Sequence, residues 1–582
     1  MLILTSSAQA FGSAATHDLF GGNILAPRAH MTGPASYDHA IEALGVTTLR
    51  YPGGSLTENM FSLRDPDATS ARDPDTGRME DFIPLSEMMQ YSAGTGHAVS
   101  IVIPTRDQLS NDVLDDNGDR MPAVDREVLQ DFVRDVVTGH YGEGTVAAFE
   151  IGNEYWGSGE MNAAEYGRLA AEMAQVIDRT LNDIAARHPE AAEIDVLVQV
   201  GTNFGRSEIS AQYDSMAPSE AVAELNAAYG LTLGDDVIFP NGGMDWTEIN
   251  NEILLSHFDD DAMAATDGVV AHVYSRAPVV DHSRWFQLEQ IEEHWQAVDP
   301  TLEIHVTEWN AKANTDAFDA TRDYGLFQAQ EMLEQVEEFM RMDVDAAQVW
   351  PLIQNTDSAL ALGREFDNPT APGEMFSMMS ENLPGMRMLD FDAGDDRDTE
   401  LHTREMDVHA FADGRDMLFY FTSNLRNGVV DAEVDISNLV DRFGEMEITT
   451  LNVVRGAQPG NTGSPAMVEH PDPEDLHAAG LIETVLAPGE IMQVRLSDVT
   501  PTADFAETFA ATGQAVPEME GMVAGVSDSG GSDAGFSPDA APPARAARGP
   551  GDEEADGSGD EDGGDLGGMW MLGLLPLLAL LG

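Results

Sequence analysis

Residues 146–187 read VAAFEIGNEYWGSGEMNAAEYGRLAAEMAQVIDRTLNDIAAR. The opening six, Val146 to Ile151, form a short apolar run of strand length. From Ala163 to Arg187 apolar residues return every three or four positions, the signature of an amphipathic helix. A strand followed by such a helix is one β/α unit, and the same alternation extends in both directions from about residue 17 to 370. Its other strand candidates are Phe20 to Leu25, Thr47 to Tyr51, Ala98 to Pro104, Ile194 to Gly201, Gly268 to Val273, Leu302 to Val306 and Ala346 to Trp350. Further helical segments are Asp125 to Val137 and Arg322 to Met340. Eight parallel strands with helical crossovers predict an α/β fold, a closed (β/α)8 TIM barrel over residues 17–374. The eight strands point to a closed barrel rather than an open doubly wound sheet, and Gly21-Gly22-Asn23, which lacks the glycine spacing that cradles a pyrophosphate, agrees with that choice.

Beyond residue 375 the apolar period changes to two, as in Asp416 to Ser423, Val429 to Ile436, Glu447 to Arg455 and Glu490 to Leu496. Half-buried strands separated by turn residues predict an antiparallel β-sandwich over 375–498. Residues 499–568 are rich in Gly, Ser, Pro, Asp and Glu, a composition that cannot bury enough surface to order itself. The apolar end 569–582 is too short to span a bilayer and is interrupted by Pro576; it is expected to act as a sorting-like tail touching membrane or export machinery, or as a loosely associated amphiphilic end. At the other terminus MLILTSSAQA closes on Ala8-Gln9-Ala10 but lacks a basic leader, so residues 1–16 read as the remnant of a signal peptide or as no signal. Secretion or display at the cell surface is the expectation.

The chain has 582 residues with 103 Asp+Glu against 29 Lys+Arg, a formal net charge of -74. A nucleic-acid partner is excluded on that balance, since phosphate binding needs clustered cations. Lys312 is the single lysine. Such an acidic surface suits salty surroundings, where repulsion is screened; codon bias explains the arginine preference equally well. No cysteine is present, which removes disulfides, thiolate catalysis and cysteine-bound zinc. No cofactor or metal is expected. His272 has no second histidine at ligand spacing, and in Asp112 to Asp119 the first position of a calcium loop falls on Val113. Nothing in the sequence sets an oligomeric state.

Barrel enzymes carry their reactive groups at the C-terminal ends of strands. Two carboxylates stand there in apolar and aromatic company: Glu154 after the fourth strand, in Gly152-Asn153-Glu154-Tyr155-Trp156, and Glu308 after the seventh, in Thr307-Glu308-Trp309-Asn310. Double displacement at a glycosidic bond needs one protonated carboxyl and one ionised carboxyl about 5 to 5.5 Å apart. Desolvation by Tyr155 and Trp156 and the field of Glu308 are expected to raise the proton affinity of Glu154, making it the acid.

With this ordered pair the sequence resembles the clan-A glycoside hydrolases, most closely the α-L-arabinofuranosidase, xylosidase-iduronidase and heparanase-like glucuronidase families, over about residues 17–498. The resemblance implies a retaining glycosidase acting on a plant or algal carbohydrate, with Glu154 as acid/base and Glu308 as nucleophile. Residue by residue it also implies that Arg50 keeps the nucleophile ionised, Asn153 binds the neighbouring sugar hydroxyl, and Tyr274 orients the nucleophile. His272, Trp156, Trp309 and Asn310 are expected to line the sugar site, and Trp350 to stack beneath the ring. Departures lie in the acidic loop Ser62 to Asp81 and the insertion Asn203 to Asp267, so substrate identity stays open.

Blander readings compete. Asn153 and Glu154 would serve as caps for the helix that begins near Ala163, and Glu308 as a surface residue beside a core tryptophan. Trp246, Trp285 and Trp295 read as packing residues. A non-catalytic carbohydrate-binding or adhesin-like surface protein would be signalled by a missing carboxylate or a missing Arg50, and neither is missing.

Overall fold

A computed structural model describes residues 1–514 apart from 75, 203–208, 314, 316, 355, 363–367, 392–398 and 479. The acidic linker from residue 515 onward and the apolar tail lie outside the described residues. Eight strands close into a parallel barrel: β1 (Gly21–Asn23), β2 (Thr48–Tyr51), β3 (Ala98–Ile103), β4 (Val146–Ile151), β5 (Asp195–Gln199), β6 (Gly268–Ser275), β7 (Glu303–Ala311) and β8 (Ala346–Val349). Each pairs with its neighbour in chain order, and β8 returns to β1.

The helix after β4, α1 (Ala163–Ala185), buries a continuous apolar face that includes Leu169, Met173, Val176 and Ile177. Its cap is Asn162, which accepts from the Glu165 amide while the Glu165 carboxylate accepts from the Asn162 amide. Asn153 and Glu154 therefore do not cap it.

One register shift shapes the site. Val306 pairs with Ala271, but Glu308 pairs with His272, so β7 carries an extra residue, Thr307, between them. Such a bulge re-aims side chains. Here it lets Thr307 and Glu308, consecutive in sequence, both reach the barrel interior, and it sends Trp309 outward.

Beyond the barrel lies a β-sandwich. Its large sheet is built from Arg387–Asp390, Met406–Ala412, Met417–Ser423, Ile491–Ser497, Glu445–Val453 and Ala466–Glu469, and its small sheet from Val430–Asp435 and Leu481–Leu486 with His477–Ala478 at one edge. One face of the large sheet, with Phe411, Leu418 and Tyr420, packs into the barrel's core. The other face closes on the small sheet around Phe419, Phe421, Val434 and Ile482.

Three boundaries differ from the sequence reading. Residues 1–16 are part of the sandwich: Leu2–Ile3 pairs in parallel with Val430–Asp435, and Gln9–Phe11 pairs with Arg387–Asp390. Leu4 and Ala8 are buried in the sandwich core. Residues 371–382, placed with the sandwich at their C-terminal end, form one helix of the barrel layer (Ala371–Asn382). Residues 499–514, expected in the linker, hold the short strand Thr500–Pro501 and the helix Ala506–Thr512, which seats Phe509 in the sandwich core. Among the described residues no helix is long and apolar enough to cross a membrane.

Candidate active site

Arg50, at the C-terminal end of β2, is fully buried and is the hub of the barrel mouth. Its Nε and Nη2 donate to the two oxygens of Glu150, each at 2.7 Å. Nη1 donates to Glu308 Oε1 at 2.9 Å and to Asn23 at 3.0 Å, and Nη2 also reaches Asn153 Oδ1 at 2.9 Å. Burial alone would weaken the cation, yet Glu150 and Glu308 more than offset that and hold Arg50 charged.

The second oxygen of Glu308 accepts from the Tyr274 hydroxyl at 2.6 Å. Burial, with Glu308 beside it, pushes the Tyr274 phenol well above its usual range, so it serves as a donor. Glu308 thus has a donor on each oxygen, Arg50 on one and Tyr274 on the other. Its side chain is 2% exposed, against 18% for Glu154, so Glu308 lies on the floor and Glu154 nearer solvent.

Glu154 sits in the loop after β4 with φ of 44°, a left-handed conformation that costs a non-glycine residue energy and collects at functional sites. Amides of Gly157 and Gly159 donate to its carbonyl and fix that turn. The loop is anchored from below by Glu58, a buried residue that accepts from the amides of Thr105 (2.8 Å), Arg106 (2.8 Å) and Asn153 (3.0 Å) and from the Thr105 hydroxyl (2.9 Å).

His272, from β6, brings the two halves together. Its Nδ1 is 3.3 Å from Glu154 Oε1 and 3.8 Å from Glu308 Oε2, and one donor or acceptor atom of each of the three residues lies within 4.8 Å of the others. With both Glu308 oxygens taken by Arg50 and Tyr274, the trio is arranged as a hydrogen-bonded proton site. Burial pushes Glu154 upward, as the sequence suggested, but the hydrogen bond and charge of His272 outweigh it, and the net direction is below the usual carboxylate range. The expected rise is therefore corrected to a lowering in the free site, because His272 from β6 is the neighbour.

Trp156 is nearly buried and turns its ring at 71° to that of His272, 6.2 Å away. Trp350 follows β8 against the β2 loop. A Cβ added to Gly54 would lie 2.6 Å from the Trp350 ring and 3.5 Å from Glu308 Oε1, and Gly54 has φ of 55°, so only glycine lets the loop pass between them. Lys312, at the end of β7, stands 5.2 Å from the centre of the Tyr274 ring.

Two expected sugar-lining residues are elsewhere. Trp309 is fully buried against Phe339 and Phe376 in the helix layer, on the outer face of β7, because Glu308 takes the inner one. Asn310 is also buried; its amide donates to the Trp350 and Ser358 carbonyls at 2.7 and 3.0 Å and its oxygen accepts from Gln328, so it secures the Trp350 backbone. Conversely, Glu150, Thr307 and Glu58 were missed. Glu150 had a readable signal, a charge inside an otherwise apolar strand, which demands a buried partner. A cavity of about 550 Å³ lined by Glu292, Glu303, Arg341 and Asp345 opens at the N-terminal ends of β7 and β8, away from this cluster.

No family model matches the sequence, and no curated protein sequence matches it. In fold the chain is similar to solved clan-A glycoside hydrolases. An α-L-arabinofuranosidase from Thermotoga maritima, solved with arabinose, shares 13% identity at a TM-score of 0.54, covering 85% of this chain and 99% of that one. The thermostable α-L-arabinofuranosidase of Thermotoga petrophila gives 12% and 0.53 over 85% and 99%, and a bifunctional glucanase-xylanase from a metagenome library 12% and 0.50 over 85% and 98%. At these identities the likeness concerns the barrel and its appended sandwich.

Proposed function

We propose that this chain is a retaining glycoside hydrolase that cleaves a plant or algal polysaccharide or its fragments by double displacement. The observation that carries this reading is the pair of carboxylates at the ends of β4 and β7, with oxygens within 4.8 Å of one another. That spacing, between one oxygen of each, suits direct attack on the anomeric carbon and is shorter than the separation an inverting enzyme keeps for its water. Glu308, oriented by the donors Arg50 and Tyr274, attacks as Glu154 protonates the departing oxygen; Glu154 then takes a proton from the water that releases the sugar. Asn153 contacts the hydroxyl beside the reacting carbon, and Trp350 and Trp156 pack on the sugar. The solved arabinofuranosidases of like fold make α-L-arabinofuranosides the first substrates to try. A polymeric substrate does not cross a bilayer, so the proposed activity belongs at or beyond the cell surface.

The test is a panel of nitrophenyl glycosides. Glu308→Gln should lose turnover by several orders of magnitude, and Glu154→Ala should lose it less and regain it with azide, which needs no general base. Full activity in both variants rejects the assignment, and sugar binding without turnover in the parent chain would favour a non-catalytic carbohydrate-binding protein.

A further inference from the structure

A chain of contacts runs behind the two carboxylates, and its hydrogens can be placed by elimination. Both oxygens of Glu150 accept from Arg50, so Glu150 donates nothing. The Thr307 hydroxyl lies 3.3 Å from Glu150 Oε1 and 3.3 Å from His272 Nε2. A hydroxyl has one hydrogen, and the buried anion claims it. Only lone pairs of the Thr307 oxygen then face His272, so Nε2 must carry a hydrogen in every charge state. The exchangeable position is Nδ1, which faces Glu154 Oε1 at 3.3 Å.

Two arrangements satisfy that contact. A neutral imidazole has a bare Nδ1, which calls for the acid form of Glu154; a Glu154 carboxylate calls for a protonated imidazole. The pair therefore holds one proton with two resting places. Besides Glu154, the groups around His272 are Glu308 at 3.8 Å, Arg50 acting at longer range, the edge-on Trp156 ring, and Gln287, which accepts from the His272 amide.

We propose that His272 stores the acid proton of the site between turnovers on Nδ1 and delivers it through Glu154, with Thr307 and Glu150 fixing the nitrogen that does so. The proposal rests on the glycosidase reading above and makes His272 a positioning residue rather than a wall of the sugar site. In the free site burial pushes the His272 imidazole down, but Glu308 and Glu154 more than offset this and raise it, which places the proton on His272 at rest. When substrate binds, the proton passes to Glu154. As the bond from Glu308 to the anomeric carbon forms and the glycosidic bond breaks, the proton goes to the leaving alcohol, and Glu154 and His272 are left as carboxylate and neutral imidazole. In the second half water attacks the same carbon, its proton goes to Glu154, and Glu308 departs as a carboxylate. The returned charge of Glu308 draws the proton back to Nδ1.

The consequence is kinetic. The alkaline limb of kcat/KM belongs to the pair and lies above the ordinary carboxylate range, although Glu154 is the acid. His272→Gln, assayed with a glycoside of poor leaving ability, should move that limb down by about a pH unit or more. With a dinitrophenyl glycoside, whose departure needs no acid, the same variant should lose markedly less kcat/KM than with the poor leaving group. Thr307→Val should shift the limb in the same direction by less. Selective ¹⁵N labelling of histidine reads the tautomer without turnover: His272 should show a protonated Nε2 throughout and a titrating Nδ1. An unmoved limb in an active His272→Gln, equal losses with both leaving groups, or an unprotonated Nε2 overturns the proposal. A parent chain that turns over no glycoside would instead overturn the glycosidase reading, with the tautomer result standing apart.

Discussion

Replacing Arg50 by Leu tests the electrostatics of the barrel mouth. The substitution removes the one cation that bonds both Glu150 and Glu308, and the magnitude follows from what each keeps. Glu150 loses two bonds of 2.7 Å and is left with Gln199 at 3.2 Å and Thr307 at 3.3 Å; Glu308 loses a bond of 2.9 Å but keeps Tyr274 at 2.6 Å. Removing one partner of a fully buried ion pair costs about 3 to 5 kcal/mol, because the remaining charge is stranded. Glu150, with the weaker remaining donors, should account for most of it. We expect a loss near that range in urea unfolding followed by tryptophan fluorescence at about pH 8. The double variant Arg50→Leu with Glu150→Leu should recover more than half. A deficit under about 1 kcal/mol, or no recovery in the double variant, would refute the view that Arg50 neutralises two buried charges.

Three more expectations concern other parts of the molecule. Between barrel and sandwich, His409 is buried with Nδ1 at 2.9 Å from Glu337, and although burial opposes protonation, Glu337 raises its pKa from 6.5 to about 10. The sign follows directly: its stabilising contribution is present below about pH 6.5 and is lost as pH rises through about 10, so the parent chain's alkaline loss in urea midpoint should flatten in His409→Gln. Glu58→Gln offers one acceptor oxygen where four donors converge, and should lower stability by about 1 to 3 kcal/mol in urea unfolding while cutting kcat through the misplaced Glu154 loop. Trp309→Ala should cost about 3 to 5 kcal/mol as a core truncation, whereas Trp350→Ala should chiefly raise KM for a glycoside; equal effects on KM would undo the distinction between them.

The barrel was legible because each strand is an apolar run followed by a helix or long loop, and all eight expected runs overlap observed strands, two of which, Gly268–Ser275 and Glu303–Ala311, extend further. Carboxylates at strand ends pointed to Glu154 and Glu308 for the same reason. The N-terminal strands were not legible: Leu2–Ile3 and Gln9–Phe11 are too short to show a period, and their pairing partners lie beyond residue 386. The bulge at Thr307 is invisible in a sequence, since register is a property of two strands, and with it went the outward turn of Trp309. Glu58 bonds Asn153 across 95 positions, a contact no local pattern announces.

The central claim is that Glu308 attacks the sugar. A 2-deoxy-2-fluoro glycoside with a dinitrophenolate leaving group, of whichever sugar the panel selects, slows the second step more than departure of an activated leaving group and lets the intermediate accumulate. Peptide mass spectrometry should then find one fluoroglycosyl adduct, on the peptide carrying Glu308, and none in Glu308→Gln. An adduct on another residue, or turnover of natural substrate with inverted product and no adduct, would contradict the account.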